Sequence, residues 1–401
     1  WSWSRVEAES RAIAATLVDA GLEPGDRVLL VAENRPEWCI ADLAVLRAGG
    51  ITVPAYTTNT TDDHRFLLEH SEARFVICSG PALAKRLMPA VAQAPRVRLV
   101  LFMEPTEGWA VPSAVLAPWA EAVRRGTTLP QVDRAGTLGP DDIACFIYTS
   151  GTGGRPKGVM LSHRNIMANL RGAWAVLERL GPLDGSVFLS FLPLSHAYEH
   201  TAGQFLPIAI GGQIYYAEGV EALSANLVEA RPHVLPCVPR LYEVMRQRIL
   251  HAVDRQGGLR ARLFHKAVEL GVRRYEHGRL GPIESLLDRV LDKLVRDKAR
   301  ARFGGRLRAL VSGGAPLSYE VGLFFTALGL PVAQGYGQTE AAPLVSVNPP
   351  WRVKLRTVGP PVDGVEVRIA EDGEILVRGE LVMPGYWKDP DATAAVLRDG
   401  W

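Results

Sequence analysis

Cysteine is scarce and scattered. Cys39, Cys78, Cys145 and Cys237 are the only four in 401 residues and form no CxxC pair. That excludes a disulfide framework or a cysteine zinc site and implies a reducing, cytoplasmic setting. Long apolar runs are missing too. The most apolar stretches, Val321–Leu330 and Phe205–Ile210, are short and hold Gly or Pro, so no membrane-spanning helix is read. A signal peptide is not recognisable, because Trp1-Ser-Trp-Ser-Arg5 lacks a basic segment followed by an apolar one. Net charge is only +2, so bulk charge implies no nucleic-acid partner. Repeats and low-complexity tracts are absent. What remains, 47% hydrophobic and 22% charged, is a globular balance with apolar material for more than one core. The chain opens on Trp1 and not on methionine, and is expected to begin inside a longer one.

Along the first 130 residues helix and strand patterns alternate. Val6–Ala20 is amphipathic, Arg27–Ala32 is a strand run, Trp38–Ala48 is helical and Gly49-Gly50 stops it. Ile51–Tyr56 and Arg74–Cys78 read as strands around a helix at Asp62–His70. Strands separated by helices of about ten residues predict parallel sheets with helices on their faces. The alternation resumes from Asp142 to Ala217. From Arg240 to Arg308 the pattern is helical. In Ile283–Phe303 the apolar residues Ile283, Leu286, Leu287, Val290, Leu291, Leu294 and Val295 predict one helical face. Arg240–Arg308 carries eighteen Lys and Arg against eight Asp and Glu, a net +10, which leaves −8 on the rest. Such a patch is either a solvated helix face or a surface for anionic lipid or a phosphorylated cosubstrate. Past Asn348-Pro-Pro, the strands Val365–Ile369 and Glu374–Arg378 flank the turn Glu371-Asp-Gly, which predicts a small antiparallel β unit.

The most informative stretch is Tyr148-Thr-Ser-Gly-Thr-Gly-Gly-Arg-Pro-Lys-Gly158. An apolar strand, Ile143–Tyr148, runs into Thr149, Ser150, Gly151, Thr152, Gly153, Gly154 and Lys157. Glycines let backbone N–H groups approach an anion, hydroxyls donate further bonds and a lysine adds a point charge. That chemistry suits a polyphosphate. Pro156 precedes Lys157 and Val159 follows Gly158, so this is neither a Walker A loop nor GxGxxG. A plain flexible turn would not need three hydroxyls, four glycines and a lysine together.

This segment resembles the signature loop of the superfamily of acyl-CoA synthetases, luciferases and peptide-synthetase adenylation domains. That family usually reads Thr-Thr-Gly where this chain has Thr152-Gly153-Gly154, one hydroxyl fewer. Two further stretches follow in the family's order. Ser312-Gly-Gly-Ala-Pro-Leu-Ser318 looks like its adenine-side loop, which assigns Gly313, Gly314, Ala315 and Pro316 to the nucleotide. Gln334-Gly-Tyr-Gly-Gln-Thr-Glu340 looks like its next core motif, which adds Gly335, Gly337 and Gln338. The resemblance implies that Tyr336 stacks on adenine, Thr339 contacts the α-phosphate and Glu340 holds Mg²⁺. An aromatic face suits a base, and a lone carboxylate in a phosphate site suits magnesium. It also implies an α/β fold of two parallel-rich sheets sandwiched by helices (layered αβαβα) with a small distorted antiparallel β-barrel. Residues 1–346 would be the ATP- and acyl-binding core, including the helical stretch 241–303, and 347–401 a β-rich subdomain.

The helical stretch, Asn34-Arg-Pro-Glu-Trp38, Tyr56-Thr-Thr-Asn-Thr60 and Leu192-Pro-Leu-Ser-His-Ala-Tyr-Glu199 look like the long-chain fatty acyl-CoA synthetase branch. That implies His196 near the acyl carboxylate, with ATP, Mg²⁺ and CoA as reactants. The expected reaction is attack of a medium- to long-chain fatty carboxylate on the α-phosphorus of ATP, then capture of the acyl group by the CoA thiolate. Lys157, Thr339, Glu340 and His196 are its expected catalytic residues. A ligase passing the acyl group to a carrier protein is the alternative. A third pattern overlaps: His196-Ala-Tyr-Glu-His200 matches HxxEH, a zinc hydrolase motif that would need a third ligand such as Glu276. The chain ends at Asp399-Gly-Trp401, before the family's Thr-Gly-Asp, hinge and mobile domain with its catalytic lysine. The fragment alone is therefore expected to be poorly active. A cytoplasmic protein with peripheral contact at the inner membrane face is expected.

Overall fold

Short apolar runs with no polar alternation are the mark of strands covered on both faces. The computed structural model, which describes residues 1–149 and 155–401, builds two sheets from such runs. The chain divides into two compact units, residues 1–168, 193–200 and 378–401, and residues 169–192 and 201–377. Each is described by itself.

In the first unit β1 (Arg27–Val31), β2 (Ile51–Pro54), β3 (Phe75–Cys78), β4 (Leu99–Phe102), β5 (Val115–Pro118), β6 (Ile143–Thr149) and β7 (Lys157–Ser162) join Gly385–Tyr386 in one eight-stranded sheet. Its order is Gly385–Tyr386, β7, β6, β2, β1, β3, β4, β5. β1 to β6 pair in parallel; β6–β7 and the last pairing are antiparallel. Helices lie close to their expected places, Trp3–Asp19 ahead of β1 and Pro36–Arg47 and Thr61–Ser71 between strands. Local chemistry sets their ends. Ser2 accepts from Arg5 N, Thr60 and Asp63 form a capping box, and Pro36 occupies the first turn. Gly126 lies so close to the first helix that an added Cβ would stand 1.8 Å from Ala12 O, so only glycine allows that approach.

The second unit holds β8 (Val187–Ser190), β9 (Gln213–Tyr216), β10 (Val234–Cys237), β11 (Ala309–Ser312), β12 (Val332–Gly337) and β13 (Leu344–Val347), in the order β13-β12-β11-β10-β8-β9. All pairings are parallel except β12–β13. Helices Leu223–Ala230, Pro239–Gln256, Gly258–His277 and Tyr319–Ala327 bury Leu227, Tyr242, Phe264 and Phe325 with strand residues in a single apolar cluster. Tyr242 Oη donates to Leu310 O at 2.8 Å, which pins a helix to β11. β14 (Glu366–Ile369) and β15 (Ile375–Arg378) form the two-stranded unit predicted after Asn348.

The face predicted for Ile283–Phe303 is split. Leu291 is buried and Val295 partly so, whereas Ile283, Leu286, Leu287, Val290 and Leu294 are exposed. A π-turn at Asp292–Arg296 interrupts the helix after Pro282–Leu291 and shifts its phase. Among the described residues no helix is long and apolar enough to cross a membrane.

Candidate active site

β6 and β7 form a hairpin whose neck pairs Thr149 with Lys157 and Tyr148 with Gly158. Ser150, Gly151, Thr152, Gly153 and Gly154, the tip of the expected phosphate loop, lie outside the described residues. Gly385–Tyr386 brackets β7 from its other side, and Trp387 N donates to Gly158 O at 2.8 Å. Lys157 Nζ stands 4.9 Å from the centre of the Tyr386 ring. It makes no ion pair among the described residues. A lysine on a strand with no carboxylate beside it among the described residues can offer its ammonium to an incoming anion.

The loop around His196 belongs to the same unit. Leu194 N donates to Asn34 Oδ1 at 3.1 Å, so two stretches read separately in the sequence hold each other. His196 caps the short helix Ala197–Glu199, and Tyr198 N donates to its Nδ1 at 3.1 Å. That bond leaves the ring proton on Nε2. The ring is exposed by area but ringed by neighbouring atoms, and this desolvation lowers its pKa below the usual histidine value. His196 is therefore a neutral donor at neutral pH. His200 is fully buried, donates from Nε2 to Asp42 Oδ2 at 2.9 Å and packs edge-on to Trp38. The HxxEH reading fails on these bonds. His196 Nδ1 and His200 Nε2 are both engaged, and Glu276 accepts from Tyr319. No group of three His, Cys, Asp or Glu is placed to hold a metal among the described residues.

In the second unit the two remaining motifs meet through strand pairing. β11 ends at Ser312, whose register partner is Gln334 on β12. Gly313 N donates to Cys237 O at 3.1 Å, Gly314 adopts a left-handed φ of 80°, and Gly314, Ala315 and Pro316 are exposed. β12 then carries Gly335, half-exposed Tyr336 and Gly337 into the one-turn helix Thr339–Ala341. Burial raises the Tyr336 pKa first, and the nearby Glu340 charge adds to it. Thr339 is buried and Glu340 half-exposed. Two side chains that the sequence did not single out, Asn169 and Thr201, shape this turn. Asn169 Nδ2 donates to Leu344 O at 2.8 Å and to Ala341 O at 3.3 Å, Asn169 Oδ1 accepts from Leu344 N, and Thr201 Oγ1 donates to Ala342 O at 3.2 Å. Asn348 N closes the far side by donating to Gln334 O.

Two buried polar atoms in this second cluster have no hydrogen-bond partner among the described residues: Ser312 Oγ and Gln334 Oε1. Buried polar atoms are almost always paired, and an orphan costs about 1–3 kcal/mol. Ser312 closes β11, and its register partner Gln334 lies inside β12, two residues before Tyr336; open α/β sheets bind ligands near such strand ends.

The sequence pattern of AMP-binding enzymes matches residues 1–387. The chain belongs to the AMP-binding enzyme family. Among its relatives, the long-chain-fatty-acid–CoA ligase FadD15 of Mycobacterium bovis is 34% identical over 397 residues, covering 98% of this chain and 64% of that protein. The peroxisomal long chain acyl-CoA synthetase 6 of Arabidopsis thaliana is 33% identical over 416 residues, covering 97% and 57%. The chain thus spans less than two thirds of the length of these relatives. Among solved structures, a benzoate CoA ligase from Burkholderia xenovorans superposes with a TM-score of 0.75 at 25% identity, covering 100% of this chain and 71% of that one. One unit holds Lys157, without an ion pair among the described residues, and the other holds Tyr336 two residues after Gln334, whose Oε1, like Ser312 Oγ, has no hydrogen-bond partner among them.

Proposed function

We propose that this protein activates a medium- to long-chain fatty acid as its acyl-adenylate and transfers the acyl group to CoA, releasing AMP and pyrophosphate. The observation that carries this reading is the register pair Ser312 and Gln334, whose buried Oγ and Oε1 have no hydrogen-bond partner among the described residues, on the strands that lead into Tyr336, Thr339 and Glu340. The long-chain ligases among the relatives support the choice of acid. The carboxylate is already ionised and needs no base, so the chain's task is positioning and charge stabilisation. Gly313 to Pro316 and Gln334 to Gln338 hold the nucleotide, with Tyr336 stacked on adenine and Thr339 on the α-phosphate. Lys157, at the neck of the first unit's hairpin, binds phosphate. Magnesium bound at Glu340 would offset phosphate charge. Neutral His196 donates a hydrogen bond at the acyl carboxylate. On this reading residues 1–346 are the nucleotide- and acyl-binding core and 347–401 a β-rich subdomain.

Peripheral contact with an anionic membrane is part of the proposal. The helix Pro282–Leu291 and the π-turn after it expose Ile283 at 84%, Leu286 at 65% and Leu294 at 50%, with Arg289 and Lys293 exposed alongside. An apolar stripe flanked by cations is the composition of an interfacial helix.

The test is pyrophosphate release by the full-length protein over fatty acids of increasing length, with and without CoA. Release that rises with chain length, with acyl-CoA formed when CoA is present, is expected. Adenylate formed without acyl-CoA would move the assignment to a carrier-protein ligase, and no release with any acid would refute it.

A further inference from the structure

The helical layer of the second unit forms a half-open cavity of about 580 Å³, within the ~300–1,000 Å³ range of small-ligand pockets. Its walls come from helices Leu223–Ala230, Pro239–Gln256 and Gly258–His277 and from the segment 294–303. Most of the lining is apolar, including Met245, Ile249, Val253, Phe264 and Leu294. Every charged residue that lines it is a cation: Arg248, Arg260, Lys298 and Arg302. None of the four makes an ion pair or hydrogen bond among the described residues. Their neighbours behave differently. Arg240, Lys266, Arg273, Arg274, Arg296 and Arg300 are each paired with a carboxylate. The +10 of this stretch is therefore not spread evenly. Its uncompensated part includes the four cations gathered at the one cavity.

The cavity is separate from the site of the proposed reaction. Ser312 to Pro316 and Gln334 to Glu340 leave the C-terminal ends of β11 and β12. Phe303, in the cavity wall, precedes β11, and the adjoining Gly304 packs against Arg231, just before β10. The cavity thus lies on the entry side of the strands, and the nucleotide motifs on the exit side.

We propose that this cavity is a second ligand site, for a single-chain anionic amphiphile. The acyl tail fills the space between Met245, Ile249, Val253 and Phe264. A carboxylate or phosphate head is held by Arg248, Arg260, Lys298 and Arg302. An apolar interior excludes a purely polar anion, and four unpaired cations disfavour a neutral lipid relative to a charged one. Free fatty acid and lysophospholipid share this chemistry.

Photolabelling of the intact protein without ATP tests it. The probes are palmitic acid with a mid-chain diazirine, a lysophosphatidic acid with the same acyl chain, and the matching diazirine hexadecanol. Saturable label from either acidic probe, mapped by mass spectrometry to 245–256 and 294–303, is expected. The double variant Arg248→Gln/Arg302→Gln should lose about tenfold or more of that label, and pyrophosphate release should stay within about twofold of the parent. A Val228→Trp variant at the exposed rim should block labelling without touching the core. The preferred head is read from which acid labels at lower concentration. Label confined to other segments, or hexadecanol labelling the cavity as well as the acids do, overturns the proposal. A Glu340→Gln variant that loses pyrophosphate release yet keeps the label separates this site from the proposed reaction.

Discussion

Lys157 stands at the neck of the β6–β7 hairpin with an aromatic ring under its ammonium and no carboxylate beside it among the described residues. Lys157→Ala should weaken nucleotide binding by about 1.5–3 kcal/mol, the worth of a charged hydrogen bond; calorimetric titration with ATP reads it, and unchanged affinity would remove the lysine from the phosphate site. His64 shows a different residue-scale effect. It is buried on the helix Thr61–Ser71, and its Nδ1 has no hydrogen-bond partner among the described residues. Burial lowers its pKa to about 4, with Arg86 adding and Asp63 opposing. Between that value and ~6.5 the unfolded chain binds a proton that the folded chain does not. Stability therefore rises with pH through this window and is lost as pH falls through it, by at most about 3 kcal/mol from this group. His70, His163 and His233, lowered chiefly by burial, act in the same direction. Urea unfolding from pH 7 to 4 should show the slope, and His64→Phe should flatten part of it. Lys157 and the glycines around it were legible because residue identity alone carries their chemistry. Asn169 and Thr201 were not, nor was the partner of Asn34, because these bonds close over 175, 141 and 160 residues.

At the scale of elements, the π-turn Asp292–Arg296 decides what the preceding helix buries. It brings Arg296 inward, where the guanidinium is 0% exposed and donates to Ala267 O at 2.6 Å, Ala327 O at 2.8 Å and Asp288 Oδ1 at 2.6 Å. One charge pair thus ties three helices. Asp288→Ala should cost about 3 kcal/mol, because it leaves the buried Arg296 cation with only Asp292 at 3.6 Å for a carboxylate, whereas Asp288→Leu with Arg296→Met should recover most of that loss. Denaturant midpoints of the three proteins check the order, and a double variant as unstable as the single would contradict it. The turn after β12 depends on a close approach in the same way. A Cβ on Gly337 would stand 2.0 Å from Pro343 O, so Gly337→Ala should displace Thr339 and Glu340 and abolish pyrophosphate release while the rest of the unit stays folded. Circular dichroism alongside the activity assay separates the two effects. The helical period from Ile283 onward was legible in the sequence. The burial of its face was not, since a π-turn has no local signature in these residues.

For the molecule as a whole, charge is strongly polarised although the net is +2. The basic stretch carries both the exposed apolar stripe and the cation-lined cavity. Sedimentation with vesicles containing phosphatidylglycerol should show binding that weakens as salt rises, because the Debye length shrinks from about 10 Å at 0.1 M to about 3 Å at 1 M. Ile283→Asp with Leu286→Asp should reduce it by at least about tenfold. Binding unaffected by both changes would place membrane contact elsewhere or nowhere.

The sequence by itself determined the alternation of strands and helices, the hairpin after Asn348 and the family. Buried strands advertise themselves as apolar runs, and the glycine-rich motifs are specified by residue type in fixed order. Only the tertiary structure decided that Ser312 lies beside Gln334, that His200 serves Asp42 and not a metal, and which side of the basic helices faces solvent. These depend on which surfaces meet after the chain has folded, and a linear pattern records the period of a helix but not the partner its face will find.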